Sequence, residues 1–271
     1  MNEKPIAQGR TAEIYAGEAG KILKVYRAGF SREDAAYEAN IASKAQEAGI
    51  SCPRFYEMTE FQGRPALVYE RIDGPTMAEL VLKGPWRIPQ LARRMARLHR
   101  EMHAPIIDAD LPSQREKYTR RIETSDILPA DLKKTLLERF STLPDDRRLC
   151  HGDFHPGNIL SPSGRDLTID WIDCSVGHPL ADVARTSILL LGMSATTDNP
   201  LIKWVVNWFH NLYLQEYFAQ LNTLPASPKF DRGSSNLGEV SKERWGLSIY
   251  RAFLPIVAAA RLAEGIPELQ D

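Results

Sequence analysis

Cysteine is scarce: Cys52, Cys150 and Cys174 are the three among 271 residues. Odd in number and widely separated, they make neither a disulfide framework nor a zinc ribbon, and they suit a reduced compartment where thiols simply pack. Excess charge of either sign is missing as well. With 34 Lys plus Arg against 35 Asp plus Glu, the net charge is −1. That balance removes the bulk electrostatic reason to expect nucleic acid or an anionic membrane as partner. Long apolar runs are also lacking. The most apolar stretches, 204–218 and 253–262, are interrupted by Asn207, His210, Gln215 and Arg261, and fall short of the roughly 20 apolar residues of a membrane span. Residues 1–10 carry charges and no apolar run, so no signal peptide is expected and the cytoplasm is the default compartment. Internal repeats and low-complexity tracts are absent too, which excludes solenoids and disordered arrays. Oligomeric state is not written in the sequence.

What is present is an ordinary globular composition, 43% hydrophobic and 25% charged, long enough for one large domain or two lobes. Residues 6–27 read as strands, with a turn at 8–11 and a second at Ala19-Gly20 before the apolar run Ile22 to Tyr26. Ser31 opens a helix, Asp34 three residues on completes a capping box, and Gly49 closes it. A further strand is predicted at 66–69, after the Gln62-Gly63 turn. At Asp73-Gly74-Pro75 the character changes and helical spacing takes over. Ile88, Leu91, Met95, Leu98 and Met102 recur at that spacing, as do Leu201, Val205, Trp208 and Leu212. One hairpin interrupts the helices: Ile159-Leu160, a turn at Ser161-Pro162-Ser163-Gly164, and a strand over 167–171. Residues 225–238, rich in Pro, Ser and Gly, predict a long loop. The order predicts an α+β chain: a small β-rich lobe over 1–71, a linker near 69–75, and a larger, mostly helical lobe over 72–271.

The stretch His151-Gly152-Asp153-Phe154-His155-Pro156-Gly157-Asn158 carries the clearest chemistry. An Asp followed five residues later by Asn, just before a strand, is what phosphoryl transfer requires: the carboxylate reaches an acceptor hydroxyl and the amide oxygen reaches magnesium. In Leu167-Thr168-Ile169-Asp170-Trp171 strand alternation puts the apolar residues on one face and Asp170 on the other. Asp170 and Asn158 then form a pair of hard oxygen ligands for Mg2+. Asp173 is a rival ligand, disfavoured because the chain turns there toward Gly177 and Pro179.

These residues resemble the aminoglycoside phosphotransferase and choline kinase group of the protein-kinase-like superfamily, sharply at 150–158 and 168–185. The resemblance implies a bilobal protein-kinase-like fold and an ATP- and Mg2+-dependent small-molecule kinase. Asp153 is then the catalytic base and Asn158 and Asp170 the metal ligands, with a supporting, structural role for Asp182. GTP is not excluded as donor. The partner is a small-molecule hydroxyl compound, not nucleic acid or a membrane.

Lys24 stands inside an apolar strand, where an ammonium is costly unless paired. A kinase pairs it with nucleotide phosphates and with a helix Glu. Glu38 is the candidate, on a helix face with Ala35, Ala42 and Ala45. The phosphate loop Gln8-Gly9-Arg10-Thr11-Ala12-Glu13 lacks the G-x-G-x-x-G pattern. Gly9 is available for close approach, with Arg10 and Thr11 as additional phosphate contacts or solvated turn residues. Backbone groups around Glu70 and Ile72 are expected to bind adenine.

Rival readings remain. His151, Asp153 and His155 spell a possible metal cluster for a metal-dependent hydrolase, and the chain could be a non-catalytic nucleotide-binding kinase-like protein. The first gives no role to Lys24, Glu38 or Asn158. The second makes the retention of Lys24, Asp153, Asn158 and Asp170 unexplained. His151 is expected to order its loop by hydrogen bonding, and His99 and His103 to serve packing or surface. For a cationic substrate, Glu264, Glu268 and Asp271 are candidates by location only. For a choline-like one, Trp204, Trp208 and Tyr213 are the aromatic candidates, although such a stripe is more often core.

Overall fold

The structure, a computed structural model, describes residues 4–9, 11–107, 111–219 and 239–264. The chain forms two compact units, Met1–Met77 with Gly157–Asp173, and Ala78–Pro156 with Cys174–Asp271. The fold is α+β: a β-sheet region first, a helical region after it. Among the described residues no helix is long and apolar enough to cross a membrane.

The first unit is built on a five-stranded antiparallel sheet of β1 (Ala7–Gln8), β2 (Ala12–Ala16), β3 (Lys21–Tyr26), β4 (Phe55–Phe61) and β5 (Arg64–Glu70). Their order is β1-β2-β3-β5-β4. Helix α1 (Arg32–Glu47) crosses from β3 to β4. It starts where the sequence places it: Ser31 Oγ accepts from the Asp34 amide and Asp34 returns a carboxylate to the Ser31 amide. It ends before Gly49, whose φ of 73° is the left-handed conformation glycine adopts without strain. Its inner face holds Ala35, Glu38, Ile41, Ala42 and Ala45, all buried. The small residues bring the helix backbone close to the sheet.

The β4 strand was not anticipated. It is an edge strand with a bulge between Phe55 and Glu57; most of its side chains are only part-buried, so its apolar alternation is weak. The unit is completed by a hairpin of β7 (Ile159–Leu160) and β8 (Leu167–Thr168). It is tied down by Thr168 N–H to Ser51 O (2.8 Å), Ser51 Oγ–H to Asp166 O (2.7 Å) and Ser161 N–H to Pro75 O (2.8 Å). The second strand is shorter than predicted: it ends at Thr168, so alternation along 167–171 does not aim Asp170. A turn does. Asp170 has φ of 66°, a left-handed conformation that costs an L-residue roughly 1 kcal/mol or more.

The second unit is helical. Helix α2 (Met77–Lys83) leads into α3 (Ile88–His103), α4 (Gln114–Thr124) and α5 (Ala130–Thr142). After these come β6 (Arg148–Cys150), β9 (Ser175–Gly177), α6 (Pro179–Thr196), α7 (Pro200–Ala219) and α8 (Glu239–Leu262). All five apolar residues read from the α3 periodicity are buried, at about 1.5–3 kcal/mol each. For α7 the helix is as predicted and its inner face is not. Val205, Phe209, Tyr213 and Tyr217 are buried, whereas Leu201 is 60% and Trp204 53% exposed. Trp204 and Trp208 pack against each other with tilted rings, centres 5.0 Å apart, and Tyr213 alone of that aromatic trio is core. Helix α6 opens on His178, whose Nδ1 accepts the Leu180 amide at 3.2 Å, with Pro179 following. Strands β6 and β9 pair antiparallel, Leu149 opposite Val176, so the chain leaves β6 into the His151 loop and returns through β9 into α6. The predicted loop at 225–238 lies outside the described residues.

Candidate active site

In the first unit the register of β3 places Lys24 opposite Ile14 and Leu67. Its ammonium lies 2.7 Å from Glu38 Oε1 and 2.9 Å from Glu38 Oε2, and 2.9 Å from Asp170 Oδ1. Burial alone would depress the Lys24 pKa, but the two carboxylates outweigh it and hold the group above the usual lysine range. Glu38, itself buried, also accepts from the hydroxyls of Tyr26 and, at 3.4 Å, Tyr69. Burial followed by the Glu38 charge keeps both phenols protonated. Sequence reading did not single out these tyrosines. The available signal is that Tyr26 lies two residues from Lys24, hence on the same strand face.

The hairpin brings Asn158 and Asp170 to one end. Ile169 N–H donates to Asn158 O at 3.0 Å, and Ile159 pairs with Thr168, so both oxygen-bearing side chains follow directly from that register. Asp170 is partly exposed and already faces one cation, the Lys24 ammonium. An Asp carboxylate and an Asn amide carried at the same end of one hairpin are oxygen donors of the kind that suits a hard divalent ion. Elsewhere in the unit, Gly9 donates its amide to Ala12 O at 2.8 Å, and Thr11 O accepts from Arg27 N–H at 2.9 Å. Arg10 lies outside the described residues. Glu70 ends β5, its amide bonded to Arg54 O at 2.8 Å; Ile72 follows, half-buried.

In the second unit the loop after β6 carries His151, Gly152 and Asp153. Asp182, fully buried in the first turn of α6, accepts the amides of His151 (2.6 Å, Oδ2) and Gly152 (2.8 Å, Oδ1). Its Oδ2 also lies 3.1 Å from His99 Nε2 and 3.2 Å from His103 Nε2. Burial would raise the Asp182 pKa, but the bonds from His103 and His99 keep it well below the ordinary carboxylate range. Arg185 Nε donates to Gly152 O at 2.9 Å, and Thr186 Oγ1 to Phe154 O at 2.8 Å. One turn and a half of α6 thus pins the loop from below. His151 Nδ1 accepts the Asp153 amide at 3.1 Å, the ordering bond expected of it. His155 Nε2 is 3.6 Å from Asp153 Oδ2. Burial pushes the Asp153 carboxyl up, but His155 and then His151 bring it below its ordinary value. Asp153 is the ionised group of this loop.

Three expectations change. The metal-ligand geometry is not at His151, Asp153 and His155. Among the described residues the group close enough to hold an ion is His99, His103 and Asp182, ligand atoms within 4.8 Å of one another. Those two histidines are fully buried partners of Asp182 and not surface residues. Glu264 is no open receptor for a substrate cation, since it is engaged by Arg121, Arg185 and Arg261. Glu268 and Asp271 lie outside the described residues. Arg261 stands three residues from Glu264, but the other partners are dozens of residues away and no local pattern announces them.

The chain is similar to several solved structures. A thermostable mutant of aminoglycoside phosphotransferase APH(4)-Ia, in ternary complex with AMP-PNP and hygromycin B, is 16% identical with a TM-score of 0.57, covering 93% of each chain. An aminoglycoside-3'-phosphotransferase of type VIII is 19% identical with a TM-score of 0.56, covering 93% of this chain and 92% of its own. A choline/ethanolamine kinase family protein from Mesorhizobium loti is 19% identical with a TM-score of 0.53, covering 96% of this chain and 80% of its own. At these identities the likeness shows the fold. No curated protein matches significantly. The model of the phosphotransferase enzyme family, by contrast, matches residues 3–218, most of the chain and both of its units. The chain therefore belongs to the phosphotransferase enzyme family.

Proposed function

We propose that the chain is a small-molecule kinase that moves the γ-phosphoryl group of ATP to a hydroxyl of its acceptor. The observation that carries this reading is the Lys24 ammonium held between Glu38 and Asp170. A buried cation fixed by a helix carboxylate, beside a second, partly exposed carboxylate, is a prepared receptor for polyphosphate oxygens and a metal. Lys24 binds the α/β phosphates, and Glu38 keeps its ammonium aimed. Gly9, Arg10 and Thr11 add contacts to the phosphates, and backbone groups from Glu70 to Ile72 bind adenine. Residues 1–71 thus serve the nucleotide and 72–271 the acceptor chemistry. Asn158 and Asp170 would hold Mg2+, which when bound neutralises phosphate charge.

Asp153 accepts a hydrogen bond from the acceptor hydroxyl and draws its proton as the phosphoryl group departs. In a loose transition state this carboxylate chiefly orients the nucleophile, while fixed positive charge stabilises the transferring group. Structures of similar fold carry AMP-PNP together with hygromycin B, or AMP-PNP with Ca2+ and amicoumacin, which supports nucleotide and small-molecule acceptor use here. Three buried free thiols suit an enzyme of the cytoplasm.

The test is ADP release by the purified chain, with ATP or GTP and Mg2+, against aminoglycosides, choline, ethanolamine, sugars and hydroxy amino acids. At least one acceptor should accelerate release, and Asp153→Ala should abolish that acceleration while nucleotide still binds. Activity that survives Asp153→Ala, or hydrolysis that proceeds without nucleotide on stoichiometric zinc, would refute the assignment.

A further inference from the structure

Beneath the His151–Asp153 loop lies a hydrogen-bonded array whose proton positions can be deduced. His99 and His103 stand four residues apart on α3, and Tyr213 and Tyr217 four apart on α7. Each imidazole meets one phenol: His99 Nδ1 is 2.7 Å from Tyr213 Oη, and His103 Nδ1 is 2.8 Å from Tyr217 Oη. Both Nε2 atoms point to Asp182 Oδ2. All five side chains are fully buried.

Asp182 is ionised, so it can only accept. Each Nε2 must therefore carry the proton it donates. A neutral imidazole with a proton on Nε2 has its lone pair on Nδ1, so a phenol that faces such a ring donates there. His99 is held neutral: burial, then the neighbouring His103 ring, push its pKa down to about 3. Along the His99 arm the proton direction is therefore fixed, from Tyr213 O–H to Nδ1 and from Nε2–H to the carboxylate, and the His103 arm repeats the same geometry with Tyr217. Asp182 thereby receives four N–H donors, two from imidazoles and two from the His151 and Gly152 amides. Two residues beyond, Phe154 stacks on His99 with ring centres 4.0 Å apart. The spacing of the three ligand atoms would admit a metal, but both Nε2 atoms and the carboxylate oxygens are already engaged in hydrogen bonds.

We propose that Tyr213 and Tyr217 are positioning residues for phosphoryl transfer, which fix His99 and His103 as Nε2–H donors and so hold Asp182 and the Asp153 loop in working geometry. The inference rests on the reading of Asp153 given above. A phenol that failed to donate would let its imidazole rotate or change tautomer. A nitrogen lone pair would then face the Asp182 carboxylate, and the loop amides would lose a fixed acceptor.

The test uses the full chain, with ADP release from Mg-ATP as the turnover assay and water or an accelerating hydroxyl compound as acceptor. Tyr213→Phe with Tyr217→Phe removes two oxygen atoms and no ring. It should lower kcat by about tenfold, the effect of losing hydrogen bonds to a charged network, with KM for ATP within about twofold. Side-chain 15N NMR should find His99 as a neutral Nε2–H imidazole in the natural chain and lose that signature in the double variant. His103→Gln, which keeps a donor near the Nε2 position, should retain most turnover, whereas His103→Asn should fall as the Phe pair does. A Phe pair with unchanged kcat and unchanged tautomers would overturn the proposal. So would stoichiometric zinc whose removal abolishes turnover. Asp153→Asn separates the two levels: if it stays active, the catalytic assignment fails. If it is dead while the Phe pair turns over normally, the positioning role alone fails.

Discussion

Lys24→Met should destabilise the first unit, and the structure says by how much. The substitution leaves the Lys24 side chain's volume nearly unchanged and removes a cation from two carboxylates. Asp170 is 38% exposed on its side chain and rehydrates at little cost, whereas Glu38 at 2% cannot. Breaking a buried ion pair by removing one partner costs about 3–5 kcal/mol. Here the lower end applies, because Tyr26 and Tyr69 still donate to Glu38. A loss of about 3 kcal/mol lowers a melting temperature by about 6–12 °C for a chain of this size. Of the five tryptophans only Trp171 belongs to the first unit, and it is buried, so a chain with the other four changed to Phe reports that unit by fluorescence. Glu38→Gln, which leaves Lys24 paired with Asp170, should cost about 1–2 kcal/mol. Adding it to Lys24→Met should recover stability relative to Lys24→Met alone, since the stranded charge is gone. Strictly additive single effects in that double-mutant cycle, or a Lys24→Met melt equal to the natural chain's, would refute the account of Glu38 as a charge held by its partner.

Other outcomes follow from the same geometry. Because His155 helps to lower the Asp153 carboxyl, the acid limb of the kcat/KM profile should lie below the ordinary Asp range and move to higher pH in His155→Ala, read from initial rates across pH. Asp182 is ionised far below its unfolded value, so its contribution to stability is present above the unfolded pKa and lost as pH falls toward the folded one. Asp182→Asn should flatten that acid dependence while costing about 3–5 kcal/mol in denaturant unfolding near neutral pH. Ser31→Ala removes one side of the capping box and should cost about 1 kcal/mol in the same assay. Asp170→Asn should raise the Mg2+ concentration needed for half-maximal ADP release by about tenfold or more.

The sequence was most legible where the physics is local. Ser31, Asp34 and Gly49 announce α1 because caps act over three or four residues, and the five apolar positions of α3 announce their face because the other side is polar. Helix α7 is apolar nearly all round, so a 3.6-residue period fits more than one face and picks Leu201 and Trp208 over Phe209 and Tyr217. Of the candidate residues, Asp153, Asn158 and Asp170 are proposed from their spacing, and Lys24 with Glu38, which the first unit does bring together, from the cost of burying a charge. What holds them is not visible. Asp182 meets the loop amides thirty residues away and two histidines some eighty residues away, distances at which a single sequence carries no periodic signal. Asp170 was aimed by a left-handed residue where alternation suggested a strand, a choice made by the hairpin end and not by local propensity.

The first unit is discontinuous along the chain, and synthesis on the ribosome gives that a temporal meaning. Its sheet and α1 are available once Met77 has emerged, yet the segment that supplies Asp170 to Lys24, and the anchors of Ser51 and Pro75 on the hairpin, arrive only after Pro156. Until then the nascent chain carries Lys24 with one of its two carboxylates and an uncovered patch around Ser51. A fragment ending near residue 77 would remain at that stage permanently, so the first unit cannot be excised as a contiguous N-terminal piece and must be studied in the whole protein or in a permuted one.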